Sequence, residues 1–407
     1  MNNTRIHGRY LLILIAMAGM IATSVGLPTN VAGLFFSPIA DEFGILKGQV
    51  SMTLTICNLV FAAGGMFAPK LLKEEWLRPL LIIGTAVIAG CTALLALSQN
   101  IMMMYILNAA RGFAAGILGF VCVTMIINNW FVAKVGLATS IAMSCSGVAG
   151  ALFSPIISSV IESAGWRAGY LVVAVMMVVL NLPAILFVPS LDPKTKGMRA
   201  LGDTGEQSKT ASAASSSTSN VKKISMAFLA MAIVYSFLAC GATALPQHFP
   251  GIASSYEMAA SVGAMMLSVC MAANSIGKIV LGAMADKLGS RISLLIYSAL
   301  TITAVLLMWL VRIPVSMYAA AILYGLTYSL GTVGVVMITK DMFGLENYSR
   351  TYPTISLAGT IANAVFSSLI GFLFDFSGNY TGTLLLMLAM LAVNTVLIFI
   401  AYQKKTA

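Results

Sequence analysis

The chain has 407 residues, of which 59% are hydrophobic and only 9% are charged, and its mean hydropathy is +0.95. A soluble domain carries about 25% charged residues, so this composition excludes a water-soluble globular protein. The formal charge of +10 comes from Lys and Arg in short connections, with no basic stripe between aromatic residues. Nucleic acid is therefore not an expected partner, and the expected environment is a lipid bilayer.

Apolar runs of about 20 residues recur along the sequence, and each is long enough to cross a hydrocarbon core of about 30 Å. The first run resembles a signal peptide, but it continues past Phe35 without a small-residue cleavage site, so we interpret it as a membrane helix. The fold class predicted is an all-α membrane protein with twelve transmembrane helices in two six-helix bundles. The predicted helices are 10–36, 49–68, 79–98, 102–128, 135–161, 169–188, 224–249, 259–285, 292–311, 316–343, 351–374 and 383–402.

A polar insert divides the helices into two sets of six. Residues 191–223 are rich in Ser, Thr, Gly and charged residues, which is typical of a flexible linker. The predicted domains are an N-terminal six-helix half, 1–190, this cytoplasmic linker, and a C-terminal six-helix half, 224–407. Two short stretches recur in both halves: residues 162–169 match 375–382 at an offset of 213, and 65–70 match 282–287 at an offset of 217. An internal repeat predicts a substrate site between the halves, near the midplane.

The placement of basic residues predicts the orientation of the helices. If the N-terminus is cytoplasmic and the connections alternate, only Lys47, Arg167 and Arg312 of the 23 Lys and Arg residues lie outside. Arg111 and Lys278 are the two placed at depth, and the rest lie on the cytoplasmic side, as the positive-inside rule requires. We therefore predict a multi-pass protein of a bacterial cytoplasmic membrane with both termini in the cytoplasm.

The stretch 282–291 resembles the cytoplasmic loop signature of the major facilitator superfamily, with Gly282, Asp286, Gly289 and Arg291 at its characteristic places. The resemblance implies a twelve-helix transporter in which this loop is a latch on the cytoplasmic gate. The glycines suit close helix approach and a tight turn. In the first half the counterpart departs from the pattern, because Pro69 stands where the family has Asp.

Two further stretches, residues 111–116 and 129–155, are similar to the branch that holds monocarboxylate transporters and oxalate:formate exchangers. Monocarboxylate transporters carry an acid and an arginine four residues apart in their eighth helix, and oxalate:formate exchangers carry an arginine there. Asn274 and Lys278 occupy these places here. The resemblance implies small organic anions as substrates. The sequence has no acid in this pair and no basic residue in helix 11 beyond Arg350, so a singly charged substrate fits better than a doubly charged one.

An ionisable side chain inside the hydrocarbon region is by default a candidate functional residue. All thirteen acidic residues fall in connections or at helix ends, so the sequence offers no buried proton-carrying carboxylate. Lys278 lies eight residues before Asp286, about 12 Å from the end of its helix, and Asn274 is one turn away on the same face. An unpaired ammonium at this depth would suit a carboxylate, although its long side chain could also reach the cytoplasmic interface.

The other candidates are polar residues of predicted membrane helices. Arg111 is deep in the fourth helix, as a substrate residue or as a brace for neighbouring helices. Gly26 and Pro28 in the first helix, and Gly241 and Pro246 in the seventh, predict breaks where helices line a cavity. His248 is interpreted as an interfacial residue rather than a proton carrier. The remaining candidate hydrogen-bonding residues are Asn30, Asn108, Tyr235, Tyr324, Tyr328, Thr360 and Asn363.

Together these features predict a secondary active transporter, an antiporter or a symporter, that carries a small organic anion, in particular a monocarboxylate, by alternating access. The alternative is an exporter of neutral or apolar compounds, in which Lys278 would be structural. An enzyme is not expected, because the sequence has no HExxH, GxSxG or His/Asp cluster. No cofactor or metal is predicted, and all six cysteines lie in apolar runs without ligand spacing. The residues do not fix the oligomeric state, and a monomer is the simplest expectation.

Overall fold

The computed structural model describes residues 2–131, 135–201 and 226–406, which are almost entirely helical and contain no β-strand. Of the predicted linker, residues 202–223 lie outside the described part. Residues 191–201 are described, and they contain a short 3₁₀ turn at Pro193–Lys196. The carbonyl of Trp130 accepts a hydrogen bond from the N–H of Leu201 just after this turn.

The described residues contain eleven helices that are long and apolar enough to cross a membrane, and one of these consists of two such helices joined at a break. The Val135–Phe187 helix is broken at Gly165, where φ is +82° and ψ is 166°. The twelve predicted membrane helices are thereby confirmed. We number them α1 Gly8–Asn30, α2 Lys47–Leu71, α3 Glu74–Leu95, α4 Ile101–Trp130, α5 135–164, α6 166–187, α7 Met226–Ser255, α8 Ala260–Leu288, α9 Ser290–Leu310, α10 Pro314–Gly344, α11 Arg350–Ser377 and α12 Thr381–Gln403.

The predicted breaks in α1 and α7 are present in the structure. A π-helical segment, Ala22–Gly26, precedes Pro28 in α1, and a 3₁₀ turn, Leu245–His248, contains Pro246 in α7. Proline lacks an N–H and its ring clashes with the carbonyl one turn earlier, so the helix changes its hydrogen-bond pattern there. The predicted first helix was too long at its C-terminal end, because α1 ends at Asn30 and a separate helix follows at Gly33–Phe43.

The contacts within the chain define two compact units. Unit 1 comprises Met1–Asn30, Ile56–Ala149 and Ser163–Ser219, and unit 2 comprises Val31–Thr55, Gly150–Glu162 and Asn220–Ala407. These units follow contacts in space, whereas the predicted halves 1–190 and 224–407 follow the sequence and stay a prediction.

Glycines bring equivalent helix pairs into backbone contact in the two units, α2 with α4 and α8 with α10. In unit 1, a Cβ on Gly112 of α4 would lie 2.4 Å from the Cys57 carbonyl oxygen of α2, and one on Gly64 would lie 2.3 Å from the Phe113 carbonyl oxygen. In unit 2, the glycines 213 residues later make the same contacts between α8 and α10. Gly325 meets the Cys270 carbonyl, and Gly277 meets that of Leu326. The offset of 213 found in the sequence therefore also relates packing contacts, which small residues permit by letting backbones approach closely.

Replacing Gly277 by Leu is expected to destabilise unit 2. A Cβ at this position would lie 2.0 Å from the Leu326 carbonyl oxygen, which is backbone and cannot rotate away. Forcing α8 and α10 apart should cost at least about 1–3 kcal/mol. We expect a clear drop in the unfolding temperature of the purified protein in detergent. Gly90→Leu is the control, because nothing lies within 4 Å of a Cβ there. An equal drop in both variants would contradict a close backbone contact between α8 and α10 at Gly277.

Candidate functional site

Lys278 is placed on α8 directly after Gly277, ten residues before the helix ends at Leu288. Its side chain is half-buried. No acidic side chain in the described part of the chain pairs with it. A cation held in an apolar helix bundle without a counter-ion attracts an anion. Lys278 is thus a cation of α8 without an acidic partner among the described residues, and its role in binding an anion stays a prediction.

Asn274 lies one turn before Lys278 on the same helix and is 4% exposed. Its Oδ1 atom is buried and has no hydrogen-bond partner among the described residues. A buried, unsatisfied amide is costly in a folded protein. Because the two ends of an amide are alike in size, rotation about the side chain can present either the oxygen or the NH₂ donor. Asn274 is therefore an unused polar group beside an unpaired cation.

Two candidates of unit 2, Asn363 and Tyr328, meet at a residue that the sequence analysis missed. Asn363 of α11 donates from Nδ2 to the hydroxyl of Thr243, at 2.8 Å. Tyr328, in a 3₁₀ turn within α10, also shares a hydrogen bond with Thr243. Tyr324 is separate from this group, because its hydroxyl donates to the Ala242 carbonyl at 2.6 Å. The signal for Thr243 was its place between Gly241 and Pro246, inside the predicted break of α7.

Arg111 and its neighbour Asn108 form a buried pair in unit 1. Arg111 is 4% exposed, and its Nη2 donates to Oδ1 of Asn108, one turn earlier on α4. Asn108 in turn donates from Nδ2 to the Met104 carbonyl at 2.8 Å. Nε of Arg111 has no partner among the described residues. The guanidinium is thus only partly satisfied inside the bundle.

Asn30 and His248 make hydrogen bonds to backbone carbonyls. Asn30, 6% exposed, donates from Nδ2 to the Ser146 carbonyl at 2.8 Å in unit 1. His248 is 2% exposed and its Nε2 lies 2.9 Å from the Ser367 carbonyl oxygen in unit 2. His248 is therefore buried inside unit 2, and its depth at the membrane interface stays a prediction. Both side chains have a partner that explains their burial.

The predicted gating loop forms the junction of α8 and α9. Gly289 breaks the helix with φ +81°, a conformation that side chains with a Cβ rarely adopt, and Ser290 begins α9. Gly282 has open space where a Cβ would be. Asp286 lies exposed in the last turn of α8, where a carboxylate is unfavourable beside the helix dipole. The guanidinium of Arg291 lies 5.1 Å from the centre of the Phe399 ring.

A profile of the Major Facilitator Superfamily matches residues 10–250 and 227–407 of this sequence. The chain belongs to the major facilitator superfamily. It is a multi-pass membrane protein with the fold of that family.

Curated relatives of this major facilitator protein belong to the branch that its sequence resembles. It is 26% identical over 210 residues to monocarboxylate transporter 2 of Rattus norvegicus, covering 51% of this chain and 41% of the relative. It is 27% identical over 151 residues to the oxalate:formate antiporter of Oxalobacter formigenes, covering 36% and 35%. It is 24% identical over 164 residues to monocarboxylate transporter 7 of Homo sapiens, covering 40% and 30%. The chain thus spans less than half the length of these relatives.

Solved structures share the fold at low identity. A bacterial homologue of the human lysosomal transporter Spinster, inward-facing and occupied, superposes with a TM-score of 0.69 at 14% identity, over 98% of this chain and 97% of that one. The nucleoside transporter NupG superposes with a TM-score of 0.72 at 10% identity, over 96% and 100%. These likenesses support the major facilitator fold alone.

Proposed function

We propose that this major facilitator protein is a secondary active transporter of small organic anions, in particular of a monocarboxylate, and that it works by alternating access. The observation that carries the proposal is Lys278, a half-buried cation of α8 that no acidic side chain of the described residues neutralises. Neutralising a charge inside the membrane is worth several kcal/mol. A substrate carboxylate would supply that neutralisation each time it binds.

The groups around Lys278 suit a small, singly charged substrate. One ammonium balances one carboxylate, and the unsatisfied amide of Asn274 gives a second hydrogen bond on the same helix face. We include Tyr324, Tyr328 and Asn363 as further substrate residues, with Arg111 and Asn30 as candidates in unit 1. The names of the relatives, monocarboxylate transporters and an oxalate:formate antiporter, support the same substrate class.

The placement of acidic residues favours anion exchange, or passage of the undissociated acid, over a carboxylate proton relay. Among the described residues, every Asp and Glu lies outside the twelve helices or within four residues of a helix end. A proton relay through a membrane needs ionisable side chains at depth. The proposed transport includes no such relay, and it also includes no catalytic residue, no cofactor and no metal.

A binding assay tests the substrate class. The purified protein should be stabilised against heat by a small monocarboxylate in a panel that also holds dicarboxylates, sugars and neutral drugs, because a ligand of the folded state raises its unfolding temperature. The shift should disappear in Lys278→Ala and persist in Lys194→Gln, which removes a positive charge from the exposed 3₁₀ turn. Stabilisation by a neutral drug alone, with or without Lys278, would favour an exporter of neutral compounds.

We also propose that the protein acts as a monomer in a bacterial cytoplasmic membrane with both termini in the cytoplasm. The distribution of Lys and Arg between the connections supports this orientation. A reporter that is active only in the cytoplasm should therefore function when fused after Ala407. The same reporter inserted after Arg312, between α9 and α10, should be inactive. Activity at both places would contradict the orientation.

A further inference from the structure

Three polar side chains from three helices are joined by hydrogen bonds in unit 1. Asn181 of α6 donates from Nδ2 to the Thr85 hydroxyl of α3 at 3.2 Å. Its Oδ1 accepts from the Thr23 hydroxyl of α1 at 2.9 Å. All three residues are at most 5% exposed. The cluster joins α1, α3 and α6 at the π-helical segment that precedes Pro28.

The second half carries the same three residue types on the corresponding helices α7, α9 and α12. Asn394 follows Asn181 by 213 residues, the offset of the repeat, whereas Thr301 and Thr243 follow Thr85 and Thr23 by 216 and 220 residues. The three line one small cavity of unit 2, together with Tyr328. The second half therefore brings Asn394, Thr301 and Thr243 together in space, as the first half does Asn181, Thr85 and Thr23.

In the second cluster, no hydrogen bond joins Asn394 to Thr301 or Thr243 among the described residues. Asn394 is 2% exposed, and its Oδ1 has no partner among the described residues. Thr301 donates to the Tyr297 carbonyl of its own helix at 2.7 Å. Thr243 donates to the Cys240 carbonyl at 2.5 Å and is held by Asn363 and Tyr328. The same cluster is thus satisfied in one unit and open in the other.

We propose that Thr243 is a switch between two hydrogen-bonded states of α7. In the state described here its hydroxyl donates to the Cys240 carbonyl and is held by Asn363 and Tyr328. In the alternate state of the transport cycle it donates to Oδ1 of Asn394 instead, as Thr23 donates to Asn181. Asn394 is then a positioning residue, since it acts on Asn363 and Tyr328 only by turning the hydroxyl that they bind. The inference rests on the proposed function to the extent that Asn363 and Tyr328 contact the substrate.

The two halves supply a matched pair of variants for the test. Asn181→Leu should lower the unfolding temperature by several degrees, because Thr23 and Thr85 both lose a buried partner. Asn394→Leu should leave it unchanged or raise it, because the Oδ1 atom it removes is already unsatisfied. This comparison needs no substrate, so it stands whichever solute is carried. An equal fall in both variants would show that Asn394 is only structural and would overturn the proposal.

Transport kinetics test the switch itself. Asn394→Leu should lower turnover about fivefold, because the alternate state loses one hydrogen bond. It should leave the apparent KM within about twofold of the parent value. Thr243→Val should slow turnover likewise, and Thr243→Ser, which keeps the hydroxyl, should retain the parent turnover. The double variant that combines Thr243→Val with Asn394→Leu should be no slower than Thr243→Val alone. Additive effects, or a change confined to KM, would overturn the switch. If no carboxylate is transported, the proposed function fails. The same kinetics are then measured with the solute that the protein does transport.

Discussion

Uptake of a monocarboxylate should fall by about 100-fold when Lys278 is replaced by Met. The substitution keeps the length and much of the apolar surface of the side chain but removes the only positive charge that we place on the substrate in unit 2. Truncating one partner of a desolvated charge pair costs about 2–5 kcal/mol, and each 1.4 kcal/mol is a factor of ten. The measurement is the initial rate of uptake into proteoliposomes of the acid that stabilises the purified protein.

Two controls separate charge from packing in the Lys278 experiment. Lys278→Arg keeps the charge but replaces a compact ammonium with a planar fork, so it should retain part of the uptake. Lys194→Gln removes an exposed charge and should leave uptake unchanged. The folded state of Lys278→Met should be at least as stable as the parent, because an uncompensated charge has left the membrane interior. Full uptake of the acid by Lys278→Met would refute the anion-site proposal.

Hydrophobic length and proline placement predicted most of the fold. Each membrane helix must satisfy its own backbone hydrogen bonds, so apolar runs of the right length become helices with little dependence on context. Pro28 and Pro246 marked the breaks of α1 and α7 for a similarly local reason, since each removes a backbone donor. The end of α1 at Asn30 was missed, because the residues that follow it are as apolar as the helix itself.

The sequence could predict which polar side chains inside the bundles are candidate site residues, but it could not predict which residues they hydrogen-bond to. Thr243 and Asn394 look like ordinary small polar residues in the sequence, yet one holds Asn363 and Tyr328 and the other has an unsatisfied oxygen. A hydrogen bond between helices depends on the rotation of each helix about its axis, which periodicity does not fix in helices that are apolar on all sides. The burial of His248 inside unit 2 was not predicted for the same reason.

Replacing Arg111 by Met should lower transport at least about tenfold while leaving the unfolding temperature equal or higher. Arg111 is 4% exposed, has no acidic partner among the described residues, and leaves Nε unsatisfied. A charged side chain at the centre of a membrane helix costs about 2.5–3.5 kcal/mol on insertion scales. A packing role would be served better by an apolar side chain of the same length. The measurements are thermal unfolding in detergent and uptake per folded molecule.

Asn108 provides the control that tells a substrate role of Arg111 from a brace within α4. Among the described residues, Asn108 has the one side chain that accepts from the guanidinium. Asn108→Leu should therefore lower the unfolding temperature by leaving the cation with less compensation. In the double variant with Arg111→Met that loss should be recovered, because the charge needing the partner is gone. If Arg111→Met instead lowers the unfolding temperature while uptake per folded molecule stays at the parent level, the arginine is a brace, and the anion-binding charge resides on Lys278 alone.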